Sequence, residues 1–402
     1  MMRHSRIIFV ISLLVSLIIF FTRCVQDHSP EGKDPRGNQY AGSKTCVTCH
    51  QNIFNSYTHS NHYRTSSEVD SGDLKKLIGA SRDYFYFTDS SHIRIEEEGG
   101  SFLQSNFMGD NKMAFAKFDI AFGSAEKAQT YGYWKEGKLF QLPLTYFTHM
   151  STWANSPGFP SGHARFDRVI ESRCFECHAS FVDKEFVQSG TVAVSEKLDR
   201  NSIIYGIDCE RCHGPAAEHV QFHQENPTVK KSMYITAIKT LSRQQQLDVC
   251  GTCHSGNDKD RQKSLFAFVP GDTLSHFYYP DFGSGKAEPD VHGKQLQMLQ
   301  SSMCFQRSGM TCTTCHDSHQ PDGDQLAGFV SKCMNCHQDS DHALGIIKSN
   351  EEANGKKNLV NMNCIDCHMP LQASKAIYFN NGREMKNIPY LLRTHKIAIY
   401  NE

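Results

Sequence analysis

Seven copies of the pattern Cys-x-x-Cys-His run along the 402-residue chain and use 14 of its 16 cysteines. Positions i, i+3 and i+4 share one face of a helical turn, so the two thiols and the histidine point the same way. The thiols can form thioethers to the two vinyl groups of a haem, and the imidazole then binds the iron as proximal ligand. The copies are Cys46/Cys49/His50, Cys174/Cys177/His178, Cys209/Cys212/His213, Cys250/Cys253/His254, Cys312/Cys315/His316, Cys333/Cys336/His337 and Cys364/Cys367/His368.

Structural zinc sites and thioredoxin-like redox sites also contain Cys-x-x-Cys pairs. Neither kind of site requires a histidine directly after the second cysteine. Histidine makes up 21 of the 402 residues, so seven histidines after seven pairs would arise by chance with a probability of about 10⁻⁹. The pattern therefore predicts seven covalently attached haems c, which we number haem 1 to haem 7 in the order of their motifs.

The composition agrees with a chain that packs around cofactors. Only 39% of the residues are apolar, and the formal net charge is −1 before cofactors are counted. Haems would supply apolar bulk that a chain of this length otherwise takes from aliphatic side chains. The sequence contains no basic run or stripe, so nothing indicates binding to nucleic acid.

The N-terminus has the order of an export signal. Arg3 and Arg6 precede an apolar run over residues 7–21, which is short for a membrane span, and Cys24 follows directly. Because no small-x-small cleavage site follows Phe21, we predict that Cys24 carries the lipid of a lipoprotein; an uncleaved anchor is the alternative. Either way the protein is expected to be exported to the periplasm and held at a membrane.

The fold class predicted from the sequence is mainly α with much irregular structure, in which short helices and loops surround seven haems. The long gap between the first two motifs is the exception. Residues 92–96 alternate as a strand does, and residues 135–138 have the composition of a hairpin turn, so a small antiparallel insert is predicted at about 82–147. The predicted domains are a signal at 1–24, a flexible tether at 25–39 and a multihaem domain at 40–402.

Fourteen histidines lie outside the motifs, and His4 and His28 fall in the signal and the tether. Six of the other twelve are predicted to be distal iron ligands: His62, His163, His219, His292, His319 and His395. The seventh distal place stays open among His59, His149, His223, His276 and His342, or is empty. His219 and His319 follow their own proximal histidines so closely that each is expected to reach the iron of a neighbouring haem.

Several motifs are followed by characteristic short sequences. Ser60-x-His62 follows the first motif, Gly214-Pro215 and His219-Val220 follow the third, and Met369-Pro370 follows the seventh. Together with the segment 292–319, the pieces after the first and third motifs resemble the cytochrome c-554 family, which is related to hydroxylamine oxidoreductases. The piece after the seventh motif is similar to related multihaem proteins, including nitrite reductases. The resemblance implies a mainly helical fold with closely packed haem pairs. The chain departs from the simplest members by carrying seven motifs where they have four.

Two functions fit these features. The first is electron transfer, in which six-coordinate haems carry electrons from a membrane donor, such as a quinol-oxidising complex, to a redox partner protein. The second is an oxidoreductase in which one haem keeps an open site for hydroxylamine, nitrite or tetrathionate. The resemblance implies two marks by which an enzyme of this kind could be recognised. Nitrite reductases often have Lys in place of the proximal His of the active haem, and hydroxylamine oxidoreductases have a Tyr crosslinked to the active haem. All seven motifs end in His and no Tyr stands out, so we favour electron transfer and name no catalytic residue.

Overall fold

The computed structural model describes residues 34–79, 83–159, 162–189, 193–280, 288–321, 326–337, 363–380 and 387–400. Helices account for about 32% of these residues and strands for about 28%, with several antiparallel sheets. The predicted mainly α fold is therefore wrong. The predicted signal, with Cys24, lies outside the described residues.

The helices of the described ranges are short. They are α1 (Ser43–Tyr57), α2 (Ser71–Gly79), α3 (Ser172–His178), α4 (Cys209–His213), α5 (Ala217–Glu225), α6 (Arg243–His254), α7 (Gln295–Gln300), α8 (Met303–Gln306), α9 (Leu326–Met334) and α10 (Cys364–His368). None of these helices is long and apolar enough to cross a membrane.

The strands extend well past the predicted insert. They are β1 (Ser66–Glu68), β2 (Tyr84–Tyr86), β3 (Ser91–Glu98), β4 (Ser101–Met108), β5 (Asn111–Lys117), β6 (Ile120–Phe122), β7 (Ala128–Lys135), β8 (Lys138–Gln141), β9 (Leu144–Phe147), β10 (Thr152–Asn155), β11 (Val169–Ile170), β12 (Ala179–Phe181), β13 (Lys184–Ser189), β14 (Ala193–Leu198), β15 (Ile204–Tyr205), β16 (Leu371–Asn380) and β17 (Asn387–Arg393).

The helix content was overestimated because a Cys-x-x-Cys-His motif needs only one or two turns of helix. Helices α3, α4 and α10 end at their motif histidines after seven, five and five residues. The fifth motif begins in a single 3₁₀ turn, Cys312–Thr314. The segments that follow the motifs are then free to pair as strands, as the hairpins β13–β14 and β16–β17 do.

Two antiparallel sheets lie in the gap between the first two motifs. A four-stranded sheet has the order β2-β3-β4-β5, and a seven-stranded sheet runs β1-β6-β7-β8-β11 with β9 and β10 attached to β7. Strands β7 and β8 form the hairpin that the sequence predicts, with Trp134 opposite Leu139. Its turn residues, Glu136 and Gly137, both have positive φ, as the right-handed twist of a two-residue hairpin requires.

The largest apolar core lies between these sheets and the C-terminal hairpin. It contains Leu74 of α2, Phe147, Trp153, Phe379 of β16 and Tyr390 of β17, all less than 10% exposed. The apolar clusters beside the later motifs are smaller. Protein side chains therefore hold the sheets together, while the motif region is left to pack around cofactors.

The start of the described chain is packed, which corrects the end of the predicted tether. The side chain of Arg36 is 6% exposed and forms ion pairs with Asp34 (2.9 Å), Asp208 (2.8 Å) and Glu210 (3.1 Å). The Gln39 carbonyl also accepts a hydrogen bond from the Ala217 amide. Residues 34–39 are therefore part of the folded domain.

Candidate haem centres

Side-chain caps hold several motifs in helical form. Asp208 Oδ1 accepts a hydrogen bond from the Arg211 amide at 2.8 Å and so caps α4. Ser242 and Gln245 form a capping box at the start of α6. Asn363 Oδ1 accepts from the Asp366 amide at 3.2 Å and caps α10. Each cap satisfies an amide that the first turn leaves free, and this fixes the turn on which the cysteines and the histidine share a face.

Four motif histidines face histidines from distant parts of the chain. The ring centroids are separated by 6.5 Å for His50–His219, 5.9 Å for His213–His319, 6.1 Å for His254–His62 and 6.3 Å for His316–His395. Because a metal–imidazole bond is about 2 Å long and each nitrogen lies about 1 Å from its ring centre, two imidazoles on one metal have centroids about 6 Å apart. The spacing fits one iron between each pair.

The relative orientation of the rings differs among the pairs. The planes of His50 and His219 enclose 16°, and those of the pairs His213–His319 and His316–His395 enclose 12° and 22°. The rings of His254 and His62 are nearly perpendicular, at 85°. The histidine pair of the fourth motif therefore differs in ring orientation from the pairs of the first, third and fifth motifs.

A fifth motif histidine, His178, lies near His292. Burial lowers the pKa of the His178 ring, and the charge of the neighbouring His292 lowers it further. Thr65 Oγ1 lies 3.2 Å from His178 Nδ1. His292 is one of the six predicted distal histidines; His163, another of them, lies near Asp167.

Some predicted haem-binding side chains are not enclosed by the protein. The thiols of Cys49, Cys174, Cys336 and Cys367 and the rings of His50, His254 and His337 are exposed, whereas His178 and His213 are partly buried. For the sixth and seventh motifs the reason is local: α9 and α10 are short, and only a small apolar cluster joins them. The motif spacing still fits covalent attachment at these positions, so their roles in haems 1, 2, 4, 6 and 7 stay predictions.

Several rings are oriented by hydrogen bonds that involve Nδ1. A backbone carbonyl lies 2.9 Å from His213 Nδ1 (Thr236), 2.7 Å from His219 Nδ1 (Met233) and 2.9 Å from His368 Nδ1 (Ala398). A carbonyl can only accept, so Nδ1 carries the hydrogen and Nε2 keeps its lone pair for a metal. None of these carbonyl partners has a sequence signal that could have identified it.

The pKa values of two of the paired rings, His213 and His395, are lowered, which favours the form that binds iron. Burial lowers the pKa of His213, and the charges of His319, His50 and His219 lower it further. Burial and the charges of His316 and His254 lower the pKa of His395 to about 4. Metals bind neutral imidazole, so these rings are ready for coordination at neutral pH without first losing a proton.

Zinc is the alternative that the structure can test. In the part of the chain that the structure describes, no three His, Cys, Asp or Glu side chains come together in a way that could hold a metal ion. A structural zinc site needs four such ligands, whereas a haem iron takes only two from the protein. The donor arrangement therefore fits haem.

Thiols of different motifs touch one another. The neighbouring thiol raises the pKa of Cys46 (through Cys209), of Cys177 (through Cys253) and of Cys250 (through Cys312), and burial raises each of them further. The attachment points of haems 1 and 3, of haems 2 and 4, and of haems 4 and 5 are therefore adjacent. The fourth motif, on α6, contacts two other motifs through its two cysteines.

Three of the five histidine candidates for the seventh distal place lie on the surface. His59 is exposed and its Nδ1 lies 2.8 Å from the Asn55 carbonyl of its own helix. His149 and His276 are also exposed. His223 packs against His219 with ring centroids 4.6 Å apart, so it supports a paired ring. His342 lies outside the described residues.

Gly206 lets two segments approach closely behind His62. Its φ is +65°, and a Cβ at this position would lie 1.9 Å from the Tyr63 carbonyl oxygen. The amide of the next residue, Ile207, donates to the His62 carbonyl at 2.9 Å. The glycine therefore holds the backbone of His62 against the chain that leads into α4.

Asp290 fixes the backbone of His292. Its carboxylate accepts hydrogen bonds from the amides of His292 (2.8 Å) and Lys375 (2.5 Å) and from the Ser374 hydroxyl (2.9 Å). Burial raises the pKa of Asp290, but these bonds outweigh it and hold the pKa below its usual range. Asp290 thus ties the loop of His292 to strand β16, a role that no motif indicates.

We expect Asp290→Ala to loosen His292 and change the ligation of haem 2. Each lost hydrogen bond to the charged carboxylate contributes about 1.5–3 kcal/mol, so the loop is no longer held to β16. Electron paramagnetic resonance should show one low-spin haem signal lost or broadened. Asp167→Ala is the matched control, since that carboxylate is exposed and pairs with Arg165. Identical spectra for the two variants would contradict the prediction.

Comparison with known proteins gives two matches to family models. The model described as "Cytochrome c3" matches residues 304–381, and the one described as "Cytochrome c554 and c-prime" matches residues 145–214. No curated protein matches the chain. A solved structure titled "Crystal Structure of Outer Cell Wall Cytochrome OcwA" superposes with a TM-score of 0.47 at 17% sequence identity, covering 86% of this chain and 80% of that one.

Proposed function

We propose that this chain, a multihaem c-type cytochrome, is an exported electron-transfer protein in which most or all of seven haems have two axial histidines. Bound haem c supplies one-electron oxidation and reduction at each site. The protein supplies the thioethers and the axial nitrogens, and it orients the rings that carry them. A membrane quinol-oxidising complex is the proposed donor, and another redox protein outside the cytoplasm is the proposed acceptor.

The observation that carries this proposal is the set of four ring pairs with centroids 5.9–6.5 Å apart. An iron with two imidazoles has no free position for a substrate, so it can exchange electrons and nothing else. With His178 and His292, five of the seven motifs have such a partner nearby. The cytochrome family matches at residues 145–214 and 304–381 support the same function.

Intact mass and electron paramagnetic resonance together test the proposal. The mass of the denatured protein should show seven covalent haems; five or fewer would contradict the count. The oxidised protein should be almost entirely low-spin, and its reduced form should not bind carbon monoxide at most sites. A strong high-spin signal that binds carbon monoxide, with turnover of hydroxylamine or nitrite, would instead support an enzyme.

We further propose that the protein is held at a membrane through a lipid on Cys24. The charged and apolar order of residues 3–21 and the position of Cys24 support this. Cys24→Ser should release the protein into the soluble fraction or stop its processing. Normal processing with retention at the membrane would rule the lipid out.

Single distal replacements test the ring pairs directly. We expect His219→Ala and His319→Ala each to turn one low-spin haem high-spin, at haem 1 and haem 3 respectively, while all haems stay attached. The attached haem keeps its thioethers and proximal histidine, so only the sixth ligand is lost. His59→Ala is the control, because His59 is exposed and bonds to its own helix. If the spectra of all three variants match the parent spectrum, the pairing is wrong.

A further inference from the structure

We infer that buried charges between the motifs set the order of the reduction potentials, low at haem 1 and higher at haem 4. The inference rests on the proposed electron-transfer function and deepens it. The residues that carry it are the carboxylates of Asp34, Asp208 and Glu210 and the guanidinium of Arg211. They lie at two different contacts between motifs.

The acidic group lies where the first and third motifs meet. The side chains of Asp34, Asp208 and Glu210 are 10%, 5% and 1% exposed, and they share the single cation of Arg36. Asp208 and Glu210 flank Cys209, whose amide donates to the hydroxyl of Ser43, the first residue of α1, at 3.1 Å. Three buried carboxylates against one guanidinium leave net negative charge at this contact.

Glu210 is fixed in this position by the backbone. Its carboxylate accepts hydrogen bonds from the amides of Ala41, Gly42 and Ala216, each at 2.9 Å. Two of these amides immediately precede α1, which carries the first motif. The negative group is therefore built into the joint between α1 and α4.

The basic group lies where the second, third and fourth motifs meet. Arg211 is 9% exposed and donates to the carbonyls of Leu265 (2.6 Å) and Glu176 (3.1 Å). The thiol of Cys253 lies 3.6 Å from the same Glu176 carbonyl. The Glu176 carboxylate is already paired with Arg261, so the charge of Arg211 remains as net positive charge beside Cys253.

Reduction adds an electron, so negative surroundings oppose it and positive surroundings favour it. Haem 1 lies beside the acidic group, haem 3 between the two groups and haem 4 beside Arg211. Residues 48–53 around the first motif form an exposed run on α1. Haem 1, which has the lower reduction potential, is thus the haem that a donor can reach. Electrons then pass from haem 1 towards haem 4, which has the higher potential.

The test is a potentiometric titration of the whole haem-loaded protein followed by electron paramagnetic resonance. The near-perpendicular rings of His254 and His62 give haem 4 a signal unlike that of the near-parallel pairs. Haem 4 should become reduced at a higher potential than haem 1. Haem 1 is identified by the signal that disappears in His219→Ala.

Two charge variants should shift the reduction potentials of haem 1 and haem 4 in opposite directions. Asp34→Asn should raise the potential of haem 1, and Arg211→Met should lower that of haem 4, each by about tenfold in the reduction equilibrium, or 59 mV. Asp73→Asn, an exposed carboxylate on α2, is the control and should change neither. Arg211→Lys keeps the charge and should restore the haem 4 potential if Arg211→Met lowers it through charge rather than through packing.

The failure of this inference differs from failure of the proposed function. Low-spin haems with haem 1 at or above the potential of haem 4, or charge variants without effect, would overturn the gradient and leave electron transfer intact. High-spin haems in the parent protein would instead contradict the proposed function.

Discussion

Replacing Glu210 by alanine is expected to destabilise the protein by several kcal/mol, because its charged carboxylate accepts three hydrogen bonds that each contribute about 1.5–3 kcal/mol. The side chain is 1% exposed, and its loss leaves three amides without this acceptor and removes one of the three carboxylates bound to Arg36. Because these amides precede α1 and α5, the joint between the first and third motifs should open first. Denaturant unfolding followed by circular dichroism measures the change.

Glu185→Ala is the control for this change. Glu185 is 64% exposed and pairs with Lys197 across the hairpin β13–β14. An exposed pair of this kind contributes about 0.2–1 kcal/mol. If the two variants unfold at the same denaturant concentration, the Glu210 cluster does not stabilise the fold.

Gly206→Ala is the second change for which we expect a large effect, roughly 2–5 kcal/mol from left-handed strain together with overpacking. The new Cβ would lie 1.9 Å from the Tyr63 carbonyl oxygen, so one of the two segments must move. His62 precedes Tyr63 and should move away from His254. The electron paramagnetic resonance signal of the near-perpendicular pair should therefore disappear together with the loss of stability.

Gly100→Ala separates the effect of left-handed strain from the effect of overpacking. Gly100 has φ +75°, and a Cβ there would meet nothing within 4 Å. This variant should therefore lose only the left-handed strain, about 1–2 kcal/mol, and should keep every haem signal. Equal losses in both variants would mean that the contact with Tyr63 is unimportant.

The sequence predicted the chemistry of the sites better than their arrangement. The motif spacing is local, so each candidate attachment site could be recognised from five residues. Five proposed distal histidines, His62, His219, His292, His319 and His395, lie beside motif histidines in the structure. Which ring faces which motif joins residues far apart in the chain, and spacing carries no information about that. His163, the sixth proposed distal histidine, is exposed and lies near Asp167.

The burial of each motif could not be predicted from the sequence either. The third motif and the sixth have the same pattern, yet His213 is partly covered by the segment that carries Thr236, whereas His337 and Cys336 are exposed. Cover comes from segments far away in the chain, so five local residues cannot distinguish an enclosed motif from an open one.

The fold was predicted correctly only where the pattern is strong. Alternation in β3 and turn residues after β7 indicated strands that the structure contains. Strand β16 pairs with β17 through a register shift between Ala373 and Tyr378, which interrupts any simple alternation. Residues that position others, such as Asp290 and Glu210, left no signal because their partners are backbone amides of distant segments.

The ring pairs also impose an order on maturation. His50 is synthesised long before His219, and His316 before His395, so a haem attached at either motif as it emerged would keep an open sixth position until its proposed partner ring arrived. Segment 387–400 is the last of the described ranges to be made. It supplies His395, the Ala398 carbonyl that orients His368, and Tyr390 for the sheet core. A chain that still lacked this segment would therefore leave the proposed haem 5 without its sixth ligand, and protection would arrive in one late step.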